Sequence, residues 1–274
     1  MLLANNPLLR KGRSVTDIAS RPVVITRPAA QAQDLAEQII ACGRQAVLFP
    51  LLCIAPIADS APLQAALAQL PRYALVVFVS PNAIDAAFEH LQQWPSSVPI
   101  GIVGEGSRVA LQRHGVDHSN ASIFAPAPHA RMDSEALFQA LDLSRLRGKR
   151  VLIVRGQAGR DFLSEMLSAA QVEVEHVCAY QRLVPSLTPA MTQQLQALLK
   201  VDSEWIVTSS EALRNLIQLT MDALGASAVA KIQQQRIVVS HHRIAETAQS
   251  LGFSCVTMSG SGDERLIAAL QSPA

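Results

Sequence analysis

A chain of 274 residues, 49% of them hydrophobic, is longer than one average domain and can fill two sizeable cores. Aromatic residues make up 4% and the formal net charge is +1, which excludes a base-stacking platform or a basic face for nucleic acid and any long-range pull on acidic lipid. The four cysteines, Cys42, Cys53, Cys178 and Cys255, stand far apart with no CxxC pair, so no zinc site or dithiol motif is signalled. They read as buried thiols of a reducing compartment.

Residues 1–20 carry their charges after a very short apolar piece, the wrong order for a secretory signal. They are expected to form a flexible tail on a cytoplasmic protein. Beyond them, short runs rich in Val and Ile alternate with amphipathic helical runs. "PVVIT" precedes "AQAQDLAEQIIACG", "ALVVFV" precedes "NAIDAAFEHL", and "IGIVG" precedes "SRVALQRHG". Later, "RVLIVRG" precedes "RDFLSEMLSAA", "EWIVT" precedes "SEALRNLIQL", and "QRIVVS" precedes "RIAETAQSLG". The strand runs are apolar throughout, as strands covered on both faces are, and the alternation predicts parallel α/β layers. The longest apolar run, "AVLFPLLCIAPIA", contains Pro50 and Pro56 and is too short to span a bilayer.

The sequence also echoes itself. Arg27, Leu35 and Glu37 match Arg155, Leu163 and Glu165, each pair 128 residues apart. Ser80 matches Ser209 and Leu141 matches Leu270, each pair 129 apart. The apolar segments "PLLCIAP" and "CAYQRLV" correspond at the first of these spacings. These matches predict a duplicated α/β unit, with a two-stranded connector between two lobes and the first βαβ of each repeat exchanged into the opposite lobe.

Open parallel sheets bind ligands at the carboxyl ends of their strands, where helix N-termini offer free N–H groups. The residues at those ends are Thr26-Arg27, Ser80-Pro81-Asn82, Gly104-Glu105-Gly106-Ser107, Arg155-Gly156, Thr208-Ser209-Ser210 and Ser240-His241-His242. Small, hydroxyl-bearing and glycine residues recur there. Two readings stand for each: a helix cap, as in a Thr208/Glu211 capping box, or a place where an anion meets the backbone. Considered as one set facing one cleft, they favour anion binding.

Other constellations carry less. His114 and His118 flank Asp117 around a helix stop at Gly115, with no third metal ligand evident, and His241 and His242 point different ways. "GEGSRV" lacks the dinucleotide-binding spacing, and neither a P-loop lysine nor a G-x-S-x-G elbow is present. Tyr180, one of two tyrosines, lies in the connector. Its phenol either serves a leaving oxygen in a cleft or packs on a wall for its ring alone.

In their order and spacing, "ITRP", "FVSPNAI", "VGEGSRVALQRHG", "LRGKRVLIVRG", "CAYQRLVP" and "VTSSEAL" together resemble the uroporphyrinogen-III synthase family over residues 21–270. The resemblance implies a bilobal α/β fold. One lobe is then 21–50 plus 186–274, the other 57–177, and the linker strands 51–56 and 178–185. It implies a cofactor-free cyclisation of hydroxymethylbilane, a linear tetrapyrrole with eight carboxylates, with loss of water and inversion of the last pyrrole ring. It further implies a cytoplasmic monomer with transient contact to the preceding pathway enzyme, and no nucleic acid, membrane or metal partner. By the same resemblance Tyr180 assists departure of the hydroxyl, while Thr26, Arg27, Ser80, Asn82, Gly104, Ser107, Arg155, Thr208, Ser209, Ser210 and Ser240 surround the substrate. Arg27 and Arg155 also read as structural ion-pair partners. Ser240-His241-His242 departs from the family's small turn after the last strand. Two rivals remain open at this point: a non-catalytic bilobal protein that binds an anionic metabolite, and a nucleotide-sugar-type transferase, for which no acidic strand-end ligand is found.

Overall fold

The computed structural model describes residues 21–127, 133–157, 159, 161–260 and 262–272. The tail expected over 1–20 lies outside the described residues. In chain order the first elements are β1 (Val23–Ile25), α1 (Ala29–Ala41), β2 (Ala46–Leu48), β3 (Cys53–Pro56), α2 (Ala61–Leu67), β4 (Leu75–Phe78), α3 (Pro81–Phe88), β5 (Ile100–Ile102), α4 (Glu105–Arg113) and β6 (Ile123–Phe124). Then come α5 (Ser134–Ala140), α6 (Leu143–Leu146), β7 (Arg150–Gly156), α7 (Phe162–Ala169), β8 (Glu173–Leu183) and α8 (Pro189–Leu198). The last are β9 (Glu204–Val207), α9 (Ser210–Leu224), α10 (Ala226–Ile232), β10 (Arg236–Val239), α11 (His242–Ser250), β11 (Cys255–Met258) and α12 (Asp263–Gln271). The chain divides into two compact units, Ile54–Leu183 and the residues on either side of it.

The flanking unit holds a five-stranded sheet in the order β11-β10-β9-β1-β2, parallel throughout. Its three central strands, β10, β9 and β1, are buried on both faces because their side chains alternate between two cores. Val24, Trp205, Val207 and Ile237 pack into one, with Phe49 edge-on to Trp205. Val23, Ile25, Ile206 and Val238 pack into the other, under α1 and α12. This is why these strands read as unbroken apolar runs.

The amino-terminal edge of that sheet carries one buried charge cluster. Glu204 is wholly buried at the start of β9, with Arg236 beside it on β10 and Arg44 ahead of β2, each guanidinium 2.7 Å from one of its carboxylate oxygens. Arg236 also donates to the carbonyls of Ala269 and Ser272, at 2.8 and 2.9 Å, and so ties the end of α12 to the sheet.

The second unit holds a six-stranded sheet in the order β3-β8-β7-β4-β5-β6, parallel from β8 to β6. Val76, Phe78, Leu152 and Val154 face one core, while Leu75, Val77, Val151 and Ile153 face the other. β3 lies beside β8, where Gln181 donates to the Pro56 carbonyl at 2.8 Å.

β8 is not regular. Its register against β7 slips between Arg155 and Gly156, so Arg155 pairs with Cys178 but Gly156 pairs with Tyr180. A bulge of this kind reverses the alternation of side chains. Val177 and Ala179 face the core before the slip, and Tyr180 faces the same core after it.

The four cysteines carry free thiols, but the expectation of burial fails: Cys42 and Cys53 are exposed, and Cys178 and Cys255 are partly buried. Cys42 caps the end of an amphipathic helix and Cys53 begins an edge strand, positions that leave a small side chain open. Among the described residues, no helix is long and apolar enough to cross a membrane.

Candidate functional site

Because the strands of each sheet run parallel, all their strand-to-helix turns emerge at one edge. In the flanking unit that edge gathers Thr26-Arg27, Thr208-Ser209-Ser210 and Ser240-His241. In the second unit it gathers Ser80-Pro81-Asn82, Gly104 to Ser107 and Arg155-Gly156.

Several of these hydroxyls serve the fold directly. Thr26 is 1% exposed, and its hydroxyl donates to the Ile206 carbonyl at 2.8 Å, stitching β1 to β9 beyond the end of their ladder. The capping box expected from Thr208 is displaced by one residue. Ser209 is the cap of α9, and its hydroxyl accepts from the N–H groups of Glu211 and Ala212, at 3.2 and 3.5 Å. Three hydroxyl residues in a row can each cap, and the chain uses the middle one. Ser210 opens the helix and accepts from Thr247 of α11 at 3.0 Å, so the turns after β9 and β10 are joined. Ser240 is buried at the end of β10, next to His241, the cap of α11.

The two strand-end arginines are each held by an aspartate. Arg27 pairs with Asp263 at 2.8 Å, in the first turn of α12. Arg155 pairs with Asp161, the cap residue of α7, and only 15% of its side chain is exposed. The guanidinium also lies where a side chain on Gly159 would stand. That hydrogen bond and charge hold the Asp161 carboxyl below the usual range. The sequence allowed ion pairing as a reading for both arginines but did not identify the partners.

In the second unit Ser80 caps α3, accepting from the Ala83 N–H at 3.2 Å. Gly104 caps α4, and Ser107 is buried in that helix's first turn. A side chain on Gly106 would reach Pro81 at 3.3 Å, so the turns after β4 and β5 lie against each other. Asn82 sits in the first turn of α3.

Tyr180 reaches the same edge. The Ser80 hydroxyl donates to the Tyr180 phenol oxygen at 3.1 Å. Arg182 Nη2 donates to that oxygen at a longer 3.4 Å. The tyrosine is 2% exposed, its ring lying over Gly156, while Ser80 is half-buried and Arg182 is exposed. The phenol oxygen thus has a hydroxyl and a guanidinium as its hydrogen-bond partners. Arg182 was not singled out in the sequence. The available signal was its place two residues after Tyr180, which on a strand means the same face. His114 and His118 serve elsewhere: His114 stacks on Phe88 at 4.6 Å and meets Asp85 at 2.9 Å, and His118 lies 3.0 Å from Arg108.

A family model described as uroporphyrinogen-III synthase HemD matches residues 33–268. A uroporphyrinogen-III synthase of Salmonella typhimurium is 30% identical over 254 residues, covering 91% of this chain and 99% of that protein. One of Escherichia coli is 28% identical over 257 residues, with 91% and 99% covered. Among solved structures, a uroporphyrinogen-III synthetase from Helicobacter pylori aligns with TM-score 0.56 at 18% identity, covering 91% of this chain and 98% of that one. A mutant uroporphyrinogen III synthase from Thermus thermophilus aligns with TM-score 0.55 at 16% identity, covering 92% and 96%. The two structural alignments establish a shared fold.

Proposed function

This chain belongs to the uroporphyrinogen-III synthase family, and from that premise we propose how its strand-tip residues carry out the family's reaction. The protein is a lyase of tetrapyrrole biosynthesis that cyclises hydroxymethylbilane to uroporphyrinogen III. Loss of water from the substrate leaves a cationic, azafulvene-like electrophile that is intrinsically reactive. The protein's work is then to hold a flexible polyanion in the one folded shape from which the last ring closes inverted, which is control by positioning.

The backbone N–H groups around Ser80, Asn82, Gly104 and Ser107 in one unit, and around Thr208, Ser209, Ser210 and Ser240 in the other, bind substrate carboxylates in this reading. Helix N-termini suit that role because their donors are fixed and their dipole ends are positive. Thr26, Arg27 and Arg155 shape the turns that present those donors, since each is engaged within its own unit. Tyr180 gives its proton to the departing hydroxyl. The observation that carries this role is the hydrogen bond from Ser80 to Tyr180, which ties the phenol to the edge where the anion-binding turns lie. The enzyme acts in the cytoplasm as a monomer in this account, receiving its labile substrate from the enzyme that makes it.

Incubation with freshly prepared hydroxymethylbilane, followed by separation of the isomers, tests the activity. Uroporphyrinogen III is expected, and isomer I alone, the product of spontaneous closure, would overturn it. For the phenol, Tyr180→Phe is expected to lower turnover by about 10²-fold or more, the usual scale for removing a general acid, beyond any loss of affinity. Unchanged turnover removes Tyr180 from the mechanism.

A further inference from the structure

The bulge in β8 decides which residue stands beside the phenol. In a regular strand Tyr180 would share a face with Cys178. The slip at Arg155/Gly156 turns Tyr180 toward the core that holds Val177 and Ala179. Two residues on, Arg182 follows it onto that side, with Nη2 3.4 Å from the phenol oxygen and Cζ 6.0 Å from the ring centroid. A buried phenol thus meets an exposed guanidinium at its oxygen, with the Ser80 hydroxyl at 3.1 Å as the other donor.

Resting on the role given above to Tyr180, we infer that Arg182 is a positioning residue for the reaction. With Ser80 it fixes the phenol oxygen from two directions and stabilises the phenoxide that proton donation leaves. In that step the carbon–oxygen bond of the hydroxymethyl group breaks with its electron pair on oxygen. The phenol proton goes to the same oxygen, and water departs. The azafulvenium cation and the tyrosine phenoxide remain. Closure with inversion joins that cation to the substituted α-carbon of the last ring, breaks the bond from this carbon to its old methylene bridge and re-forms the bridge at the ring's free α-carbon, and the proton expelled there restores the phenol. A fixed positive group beside the developing anion lowers the barrier without having to reorganise. The mundane role for such an arginine is packing, its stem covering an aromatic ring while the charge stays in water. Packing alone would change stability and leave the chemistry of the phenol untouched.

A double-mutant cycle on the full chain, assayed with hydroxymethylbilane, separates these roles. Arg182→Gln is expected to lower kcat about tenfold, less than the roughly 10²-fold or more of a donor at ideal distance because its Nη2 stands 3.4 Å from the oxygen, with KM within about twofold. Arg182→Lys, which keeps the charge, should recover part of that loss. In a Tyr180→Phe background, Arg182→Gln should cost nothing further, because the oxygen it serves is gone. Equal losses of kcat in both backgrounds would overturn the inference, as would an unchanged kcat. A raised KM with unchanged kcat would overturn it too and make Arg182 a carboxylate contact. If Tyr180→Phe alone leaves kcat unchanged, the role of Tyr180 fails and the inference falls with it. If Tyr180→Phe lowers kcat and Arg182→Gln does not, only the inference falls. Thermal melts of each variant guard against misfolding, and Arg182→Lys carries the test if Arg182→Gln melts early.

Discussion

Gly156 and Tyr180 pair across β7 and β8, and the phenol ring occupies the space that a side chain on Gly156 would need. A Cβ there would stand 2.7 Å from the Tyr180 Cζ and 3.0 Å from its oxygen. Gly156→Ala therefore cannot be accommodated without moving the ring. Overpacking of this kind costs about 1–3 kcal/mol. The displaced oxygen would also leave the 3.1 Å hydrogen bond from Ser80. Both a lower melting temperature and a fall in kcat are expected. A variant with normal turnover would show that the phenol need not sit where it does.

The cap of α9 allows binding to be separated from folding. Ser209 accepts from two N–H groups of the first turn. Ser209→Ala removes the cap and should cost about 0.5–2 kcal/mol of stability. Its effect on KM should be small, because the backbone donors remain. Aspartate caps as well as serine does. Ser209→Asp should therefore keep stability while its charge repels substrate carboxylates and raises KM. A Ser209→Asp enzyme with unchanged KM would leave Ser209 as a cap and nothing more.

The strands were legible in the sequence because both faces of each sheet are covered, which writes a strand as an unbroken apolar run. The hydroxyl and glycine residues at the strand ends were legible for a related reason, since a tight strand-to-helix turn admits few residue types. The bulge in β8 was not legible. In "VCAYQ" four of the five residues are of types that can be buried, so no polar residue marks where the alternation reverses. The partners of Arg27 and Arg155 were hidden as well, because Asp263 and Asp161 meet them only through the fold. Read from β2, the flanking sheet runs β2-β1-β9-β10-β11, and read from β8, the other runs β8-β7-β4-β5-β6. In each, a βαβ from one half of the chain joins three strands from the other half.

The charge cluster at the opposite edge of the flanking unit bears on stability alone. Glu204 is wholly buried between Arg44 and Arg236, and Arg44 Nε has no hydrogen-bond partner among the described residues. The carboxylate is thus the group that neutralises two guanidinium groups. Glu204→Gln keeps the shape and removes the charge, leaving both arginines uncompensated. Breaking a buried ion pair from one side costs about 3–5 kcal/mol. Urea unfolding should show a loss on that scale, with α12 loosened because Arg236 also holds its last carbonyls. A loss below about 1 kcal/mol, the range of exposed ion pairs, would mean that the cluster is hydrated and holds little.

Stability at alkaline pH depends on Tyr73. Tyr73 is buried at the amino-terminal side of the second sheet, where Arg150 lies 5.1 Å from its ring centroid and pairs with Glu175. Burial, then the hydrogen bond to Glu175 and that residue's negative charge, push the phenol from 10.0 up to about 12, against the opposing pull of Arg150 and Arg72. The folded protein therefore keeps its proton over a range in which the unfolded chain has lost it. In that range the unfolded state binds fewer protons, so stability falls as pH rises. The contribution is fully present below pH 10.0 and is lost between there and about 12. Tyr73→Phe removes the titrating group and should flatten that part of the stability profile, as measured by urea unfolding at a series of alkaline pH values. An unchanged slope would place the alkaline loss elsewhere.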